Sequence, residues 1–321
     1  LAGFLGISRG ELNDIVNHIQ KEYKEAHLPK KDGTYRSLCV PSIRLRFCQD
    51  PIKEKILPQL PVSKFATAYQ KGSTTRGNAE PHIGKKFLLK LDITDFFGSI
   101  TFEQVQRTAF NTRYVSRQVG YLLTSLCCKD DSLPQGAATS PALSNIVMYR
   151  FDDYIGRWCS QRQIAYTRYC DDMTFSANRP LYGVYKKVKT MLREMGFELN
   201  ESKTHFIGND NRQSVTGLVV NEKLSIPSGY KRDLRQEVYY ALKFGVEDSV
   251  LHGHRSDFVE DGRPICCPTY MLHLMGKVQY VLQIEPENLW FKDAQKKLLA
   301  YIYEHYSESL SYYLHFNKNG K

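Results

Sequence analysis

Two strand-like runs that meet at adjacent aspartates constrain this chain more than any other feature of its 321 residues. Ile164-Ala165-Tyr166-Thr167-Arg168-Tyr169 and Met173-Thr174-Phe175-Ser176 are rich in aromatic and β-branched residues, and only Cys170-Asp171-Asp172 separates them. This pattern predicts a tight hairpin with two like charges at its tip. Carboxylates that close together cost stability unless a cation neutralises them. Two other Asp-Asp pairs lack this constraint. Asp130-Asp131 falls in a loop before Pro134, and Asp152-Asp153 falls on an amphipathic helix where carboxylates can face water.

A further carboxylate, Asp92, lies at the end of the apolar run Lys86 to Ile93, where an unpaired charge is again expensive. If that strand and the hairpin are neighbours in one sheet, Asp92 and Asp171 converge and can hold two Mg²⁺ ions about 4 Å apart. Such a pair of ions activates an attacking 3′ hydroxyl and stabilises a leaving pyrophosphate, and hard oxygen ligands are what Mg²⁺ prefers. Spacing alone leaves equal room for a strand-end aspartate beside an unrelated acidic turn.

Ser8 and Glu11 have capping-box spacing ahead of an apolar stripe at Leu12, Ile15, Val16 and Ile19, which predicts a helix. Lys30 to Pro41 reads as a hairpin turn and strand, and Ile43 to Leu57 as a helix. The polar, glycine-bearing stretch Lys71 to Gly84 reads as a loop. Helices are expected at Phe102 to Thr108, Ser116 to Leu126, Ser140 to Gln163 with Ser140 as its cap, and Tyr182 to Met195 closed by Gly196. Strands are expected at Lys203 to Gly208 and Val215 to Val220, and the last third alternates helical patterns with the polar loop Gly253 to Pro264. The layout is α/β (α+β): a mixed body followed by a helical tail.

The charge is unevenly placed. The net charge is +10, yet Lys231 to Lys321 carries 12 basic and 12 acidic residues, so the whole basic excess lies before it. A basic body suits a polyanion such as RNA or DNA. No window has the roughly 18 consecutive apolar residues of a membrane span, and Leu1 to Gly10 lacks the pattern of a signal peptide. Eight cysteines without a C-x-x-C pair fit a reducing, cytoplasmic compartment, and His252, His254, Cys266 and Cys267 match no zinc signature.

Four segments then carry a resemblance. Leu91-Asp92-Ile93-Thr94-Asp95-Phe96-Phe97 resembles the first catalytic box of reverse transcriptases, and Tyr169-Cys170-Asp171-Asp172 their Y-x-D-D box. Leu133-Pro134-Gln135-Gly136-Ala137-Ala138-Thr139-Ser140-Pro141 with Asn145 resembles the nucleotide-binding box, and Gly196 to Thr204 the fourth box. All four stand in the family's order. Asn78-Ala79-Glu80-Pro81-His82 is similar to the N-A-x-x-H element of retron reverse transcriptases and Val215-Thr216-Gly217 to their V-T-G element.

The resemblance implies a right-hand polymerase fold without an RNase H domain: fingers over 1–85, palm over 86–226 and an RNA-binding, mainly helical thumb over 227–321. It implies that Asp92, Asp171 and Asp172 bind two Mg²⁺ ions, with Mn²⁺ as a substitute, and that Lys203 donates a proton to the departing pyrophosphate. Arg36, Ile93, Phe97, Gln135, Gly136, Tyr169 and Cys170 would surround the incoming nucleotide, Arg36 as triphosphate clamp and Phe97 as the ring that blocks a 2′ hydroxyl. Asn78, His82, Val215, Thr216 and Gly217 would contact RNA.

The implied activity is RNA-directed DNA synthesis from dNTPs. A cognate structured noncoding RNA is copied into short single-stranded DNA, primed from a guanosine 2′ hydroxyl to give a branched product, in antiphage defence with a separately encoded effector. A bacterial defence or mobile-element reverse transcriptase with another primer remains open, as does a catalytically inactive RNA-binding relative.

Overall fold

The computed structural model describes residues 1–29, 33–252, 258–260, 263–264 and 267–318. It divides into two compact units, Leu1–Thr216 and Gly217–Lys321.

The first unit opens with α1 (Ala2–Leu5) and α2 (Arg9–Asn17). Ser8 and Glu11 form the reciprocal cap that their spacing predicts: Glu11 N donates to Ser8 Oγ at 3.1 Å and Ser8 N to the Glu11 carboxylate at 2.8 Å. β1 (Tyr23–Pro29) and β2 (Tyr35–Pro41) make an antiparallel hairpin that starts earlier than the sequence suggests. α3 (Ile43–Pro51) passes into a π-helical turn, Ile52–Ile56, where Pro51 has no N–H to continue the regular ladder.

The stretch expected as loop contains α4 (Thr75–Ala79) and a 3₁₀ turn, Glu80–His82. Thr74 caps α4 by accepting from Gly77 N at 3.0 Å, and Pro81 suits the start of the turn. There follow β3 (Phe87–Asp92), α5 (Phe102–Thr108), α6 (Arg117–Cys127) and α7 (Ser140–Ser160). The N-cap position of α7 is Thr139, which makes no side-chain cap bond, and Ser140 is already helical, its hydroxyl donating to the Pro134 carbonyl at 2.7 Å.

β4 (Ala165–Tyr169), β5 (Asp172–Ala177), α8 (Tyr182–Glu194) and β6 (His205–Gly208) complete the body of the first unit. β4-β5-β3-β6 form one antiparallel sheet. The single strand expected from Val215 to Val220 is broken into β7 (Ser214–Val215) and β8 (Leu218–Val219), because Thr216 and Gly217 turn at φ +45° and +81°.

Strand alternation gives the β4-β5 hairpin two different faces. Tyr166, Arg168, Met173 and Phe175 face α7, with the Tyr166 and Phe175 rings stacked at 4.6 Å. Arg168 and Asp152 of α7 are both fully buried, so Asp152 does not face water as its helix pattern suggests. The guanidinium donates to Asp152 through Nε at 2.9 Å and Nη2 at 2.6 Å, and Tyr166 Oη adds a bond to the same carboxylate at 2.7 Å. Arg168 also reaches Asn145 Oδ1 at 3.1 Å and the Cys170 carbonyl at 2.8 Å. Loss of hydration opposes the charge, yet Asp152 holds the Arg168 pKa above its ordinary value.

The second unit consists of α9 (Ser228–Phe244), α10 (Val246–His252), the short pair β9 (Val259–Glu260) and β10 (Arg263–Pro264), α11 (Cys267–Ile284) and α12 (Leu289–Lys318). Leu234, Val238, Met271, Leu274, Val278, Phe291 and Leu298 lie in its core. Lys231 pairs with Glu285 at 2.7 Å and Lys277 with Glu237 at 2.6 Å, and Arg235 lies over the Trp290 ring at 5.5 Å. These cations help close the helix packing. His254 and Cys266 lie outside the described residues.

Removing one partner of a buried ion pair strands the other charge, whereas an apolar pair of similar volume can be tolerated. Asp152→Ala is therefore expected to lower the unfolding free energy by about 3–5 kcal/mol, and Asp152→Leu with Arg168→Met to recover most of it. Urea titration reads both. A single variant within about 0.5 kcal/mol of wild type would contradict the assigned role.

Candidate active site

The site is built where β3 ends beside the β4-β5 turn. Asp92 pairs in register with Asp172, and Ile93 N donates to the Asp171 carbonyl at 3.2 Å. The opposite side is held by the fourth sequence box, where Asn200 N donates to the Asp92 carbonyl at 2.8 Å and Thr94 N to the Glu198 carbonyl at 2.8 Å. The strand end therefore has no freedom to carry Asp92 away from the turn.

Tyr169 and Asp172 pair across a two-residue turn, and its first residue, Cys170, has φ +61°. That is the II′ pattern, in which glycine is usual because a side chain strains the left-handed backbone. Two contacts hold Cys170 there: Arg168 Nη1 on its carbonyl at 2.8 Å, and Tyr69 Oη on its Sγ at 3.1 Å. Burial pushes the Cys170 thiol up to about 11, so it is no nucleophile at neutral pH.

Asp92 is 6% exposed. Burial raises its pKa, the Lys203 ammonium opposes the rise at 3.1 and 3.0 Å from the two carboxylate oxygens, and Asp171 adds to it. Asp172 is exposed at the rim, yet the protein crowded around it raises its pKa by loss of hydration, with Asp171 and Asp92 adding to the rise and Lys90 opposing it. Lys203 is shifted upward by its bond to Asp92. Among the described residues no group of three or more His, Cys, Asp or Glu side chains is set to hold a metal ion. The donors that converge are hard carboxylate oxygens whose mutual repulsion a divalent cation would relieve, so the residues fit such an ion.

The nucleotide-binding box is tied to the β1-β2 hairpin. Cys39 N donates to the Gln135 carbonyl at 2.7 Å, and Gly136, at φ +122°, packs so closely that a Cβ there would meet the Cys39 carbonyl oxygen at 2.9 Å. Arg36 is exposed on the same strand as Cys39. Phe96 is buried and Phe97 only partly so, their rings 5.6 Å apart, which makes Phe96 the ordinary core residue of the two. Ile93 is buried and Tyr169 partly buried.

Asn78, His82 and Val215 are buried rather than displayed to a partner. His82 is bonded to Thr167 and Ser176, and Asn78 to Thr67 and Thr216, so a direct RNA contact by Asn78 or His82 is not what this arrangement offers. Thr216 also donates to the Thr75 carbonyl at 3.2 Å. Sequence reasoning gives Arg168 and Tyr69 no role at the site and turns Asp152 to water. Arg168 beside the Y-x-D-D box is the signal that an arginine in an apolar strand must find a buried acid.

Residues 28–221 match the family model described as reverse transcriptase (RNA-dependent DNA polymerase). The chain is 33% identical to the retron Ec86 reverse transcriptase of Escherichia coli over 212 residues, 64% of this chain and 65% of that protein. It is 31% identical to the retron Mx65 reverse transcriptase of Myxococcus xanthus over 311 residues, 89% of this chain and 68% of that protein. Among solved structures, Candida albicans telomerase in complex with a TWJ fragment of telomeric RNA aligns with a TM-score of 0.48 at 12% identity, over 90% of this chain and 62% of that one.

A carboxylate whose folded pKa is raised costs stability at neutral pH and regains it as pH falls through that pKa. Asp172→Asn in chelator-treated buffer at pH 7.5 is therefore expected to raise Tm by roughly 1–2 °C, with the gain shrinking toward pH 4. Differential scanning calorimetry reads this. A fall in Tm at pH 7.5 would contradict a carboxyl whose pKa the fold raises.

Proposed function

The chain belongs to the reverse transcriptases, and among them to the retron type, and we propose that it is an RNA-directed DNA polymerase that copies part of a cognate structured noncoding RNA into single-stranded multicopy DNA. Its fold is the mixed helix-and-sheet right hand of that family. In this reading 1–85 are fingers, 86–226 palm and 227–321 thumb. The observation that carries the proposal is the pairing of Asp92 with Asp172 across β3 and β5, with Asp171 in the adjoining turn whose carbonyl accepts from Ile93 N.

Asp92, Asp171 and Asp172 would hold two Mg²⁺ ions, or Mn²⁺ in their place. When bound, the ions supply charge neutralisation and activation of the primer hydroxyl. The chain's own residues do the rest. Gln135 and Gly136 form the floor of the nucleotide site, with the Gly136 backbone free to approach a dNTP closely. Phe97 excludes a ribose 2′ hydroxyl by clash. Arg36 on β2 clamps phosphate oxygens bidentately. Lys203 Nζ, kept protonated by Asp92, passes a proton to the pyrophosphate oxygen as it leaves.

Priming comes from the 2′ hydroxyl of a guanosine in the RNA, giving a branched RNA-DNA, and the system serves antiphage defence through a separately encoded effector. No helix among the described residues is long and apolar enough to cross a membrane. In this reading the enzyme works on its RNA in the cytoplasm.

Expression with the noncoding RNA encoded beside the gene is expected to yield single-stranded DNA whose mobility changes on debranching. Asp171→Asn with Asp172→Asn should lower its yield by at least 10³-fold. DNA insensitive to debranching would contradict the 2′ priming, and DNA made equally by the double variant would contradict the catalytic assignment.

A further inference from the structure

The face of the β4-β5 hairpin turned away from α7 carries Thr167, Thr174 and Ser176, and all three are buried: 4%, 3% and 0% exposed. Hydroxyls taken from water need partners inside the fold, since an unmet one costs about 1–3 kcal/mol. For Thr167 and Ser176 the segment from Asn78 to His82 supplies them. His82, fully buried, places Nδ1 2.7 Å from Ser176 Oγ on β5 and Nε2 2.9 Å from Thr167 Oγ1 on β4. One imidazole thus ties together the two strands whose turn carries Asp171 and Asp172.

One tautomer gives every hydroxyl hydrogen here an acceptor. Thr167 Oγ1 has a single hydrogen and gives it to the Asn78 carbonyl at 3.4 Å, so it accepts from His82 Nε2–H. Nδ1 is then the acceptor for the Ser176 hydroxyl. Burial lowers the ring's pKa to about 3, so it stays neutral and keeps one donor and one acceptor. The anchor points are evenly placed: Thr167 is four residues before Asp171 and Ser176 four residues after Asp172. On β5 the strand runs about 13 Å from Ser176 to Asp172, and on β4 about 7 Å from Thr167 to Tyr169, where the turn carrying Asp171 begins.

Asn78 extends the brace to the edge of the sheet. Its Oδ1 accepts from Thr67 Oγ1 at 2.6 Å, and Thr67 N donates to the Arg168 carbonyl at 2.8 Å, so the backbone beside β4 is fixed by the same segment. Asn78 Nδ2 donates to Thr216 Oγ1 at 3.4 Å, which brings the second retron-like element into the same network.

We propose that His82, with Asn78, is a positioning residue for nucleotidyl transfer: the N-A-x-x-H segment braces both strands of the Y-x-D-D hairpin from behind and holds Asp171 and Asp172 in line with Asp92. This rests on the polymerase reading above and assigns the segment a role apart from RNA contact. A displacement of about 1 Å at reacting groups can cost 10²-fold in rate, so a brace behind the hairpin acts on kcat.

The test is steady-state dTTP incorporation on poly(rA) primed with oligo(dT), alongside filter binding of the noncoding RNA and circular dichroism at the assay temperature to normalise for folded protein. His82→Ala is expected to lower kcat per folded molecule by about 10- to 100-fold, with KM for dTTP and Kd for RNA each within about twofold of wild type. His82→Asn keeps an amide near the Nδ1 position facing Ser176 and His82→Gln one near the Nε2 position facing Thr167, so each is expected to recover part of the loss. Ser176→Ala removes one link with little change of volume and should fall between His82→Ala and wild type.

An unchanged kcat for His82→Ala with RNA affinity weakened tenfold would overturn the brace in favour of RNA recognition. Loss wholly accounted for by unfolded protein, with no recovery in the Asn and Gln variants, would reduce His82 to a stability residue. Wild-type protein inert on this template would instead sink the polymerase reading, and a kinetic role for the brace with it.

Discussion

Repulsion among three carboxylates is the constraint around which the first unit is organised. Asp92 and Asp172 are brought together by strand register with Asp171 in the turn beside them, and burial and mutual charge push Asp92 and Asp172 away from their preferred ionised form. A chain left to itself would let such a cluster spread. Here the backbone forbids it: the β3 end is bonded to the hairpin turn on one side and to Glu198 and Asn200 on the other, while Lys203 supplies a counter-charge to Asp92. The cost of converging like charges is met by rigidity elsewhere, as is usual where strain is kept at a functional site.

That rigidity comes from two buried polar assemblies on opposite faces of one hairpin. On the α7 side, Arg168 and Asp152 form an ion pair that also grips the Cys170 carbonyl and so holds a non-glycine residue at positive φ. On the other side His82 fastens Thr167 to Ser176. Neutral hydroxyls and a neutral imidazole suit the second face, because a second buried charge beside Arg168 would add a further desolvation cost.

The sequence made the site legible where its residues are contiguous. Tyr169 to Asp172, Leu91 to Phe97, Leu133 to Pro141 and Gly196 to Thr204 each keep their chemistry within a few residues, and strand alternation then places Asp92 opposite Asp172. The bracing residues were hidden because their partners are distant in the chain. Asp152 and Arg168 lie 16 residues apart on a helix and a strand, and only tertiary packing makes them a pair. Thr167, Thr174 and Ser176 share one face of the hairpin, and residues 78–82 pack on that face as a helical turn in a stretch whose glycines and polar residues suggest loop. In the charge-neutral second unit, Lys231, Arg235 and Lys277 are used to close contacts between its helices.

Divalent-ion binding tests most directly whether the three carboxylates form one site. Titration of the protein with Mn²⁺, in the presence of poly(rA), oligo(dT) and a non-hydrolysable dTTP analogue and followed by electron paramagnetic resonance, should give two bound ions per chain. Asp92→Asn, or Asp171→Asn with Asp172→Asn, should weaken that binding by at least tenfold while Tm is held or raised. Equal Mn²⁺ binding by wild type and by these variants would contradict the account, because the converging carboxylates would then not be what holds the ions.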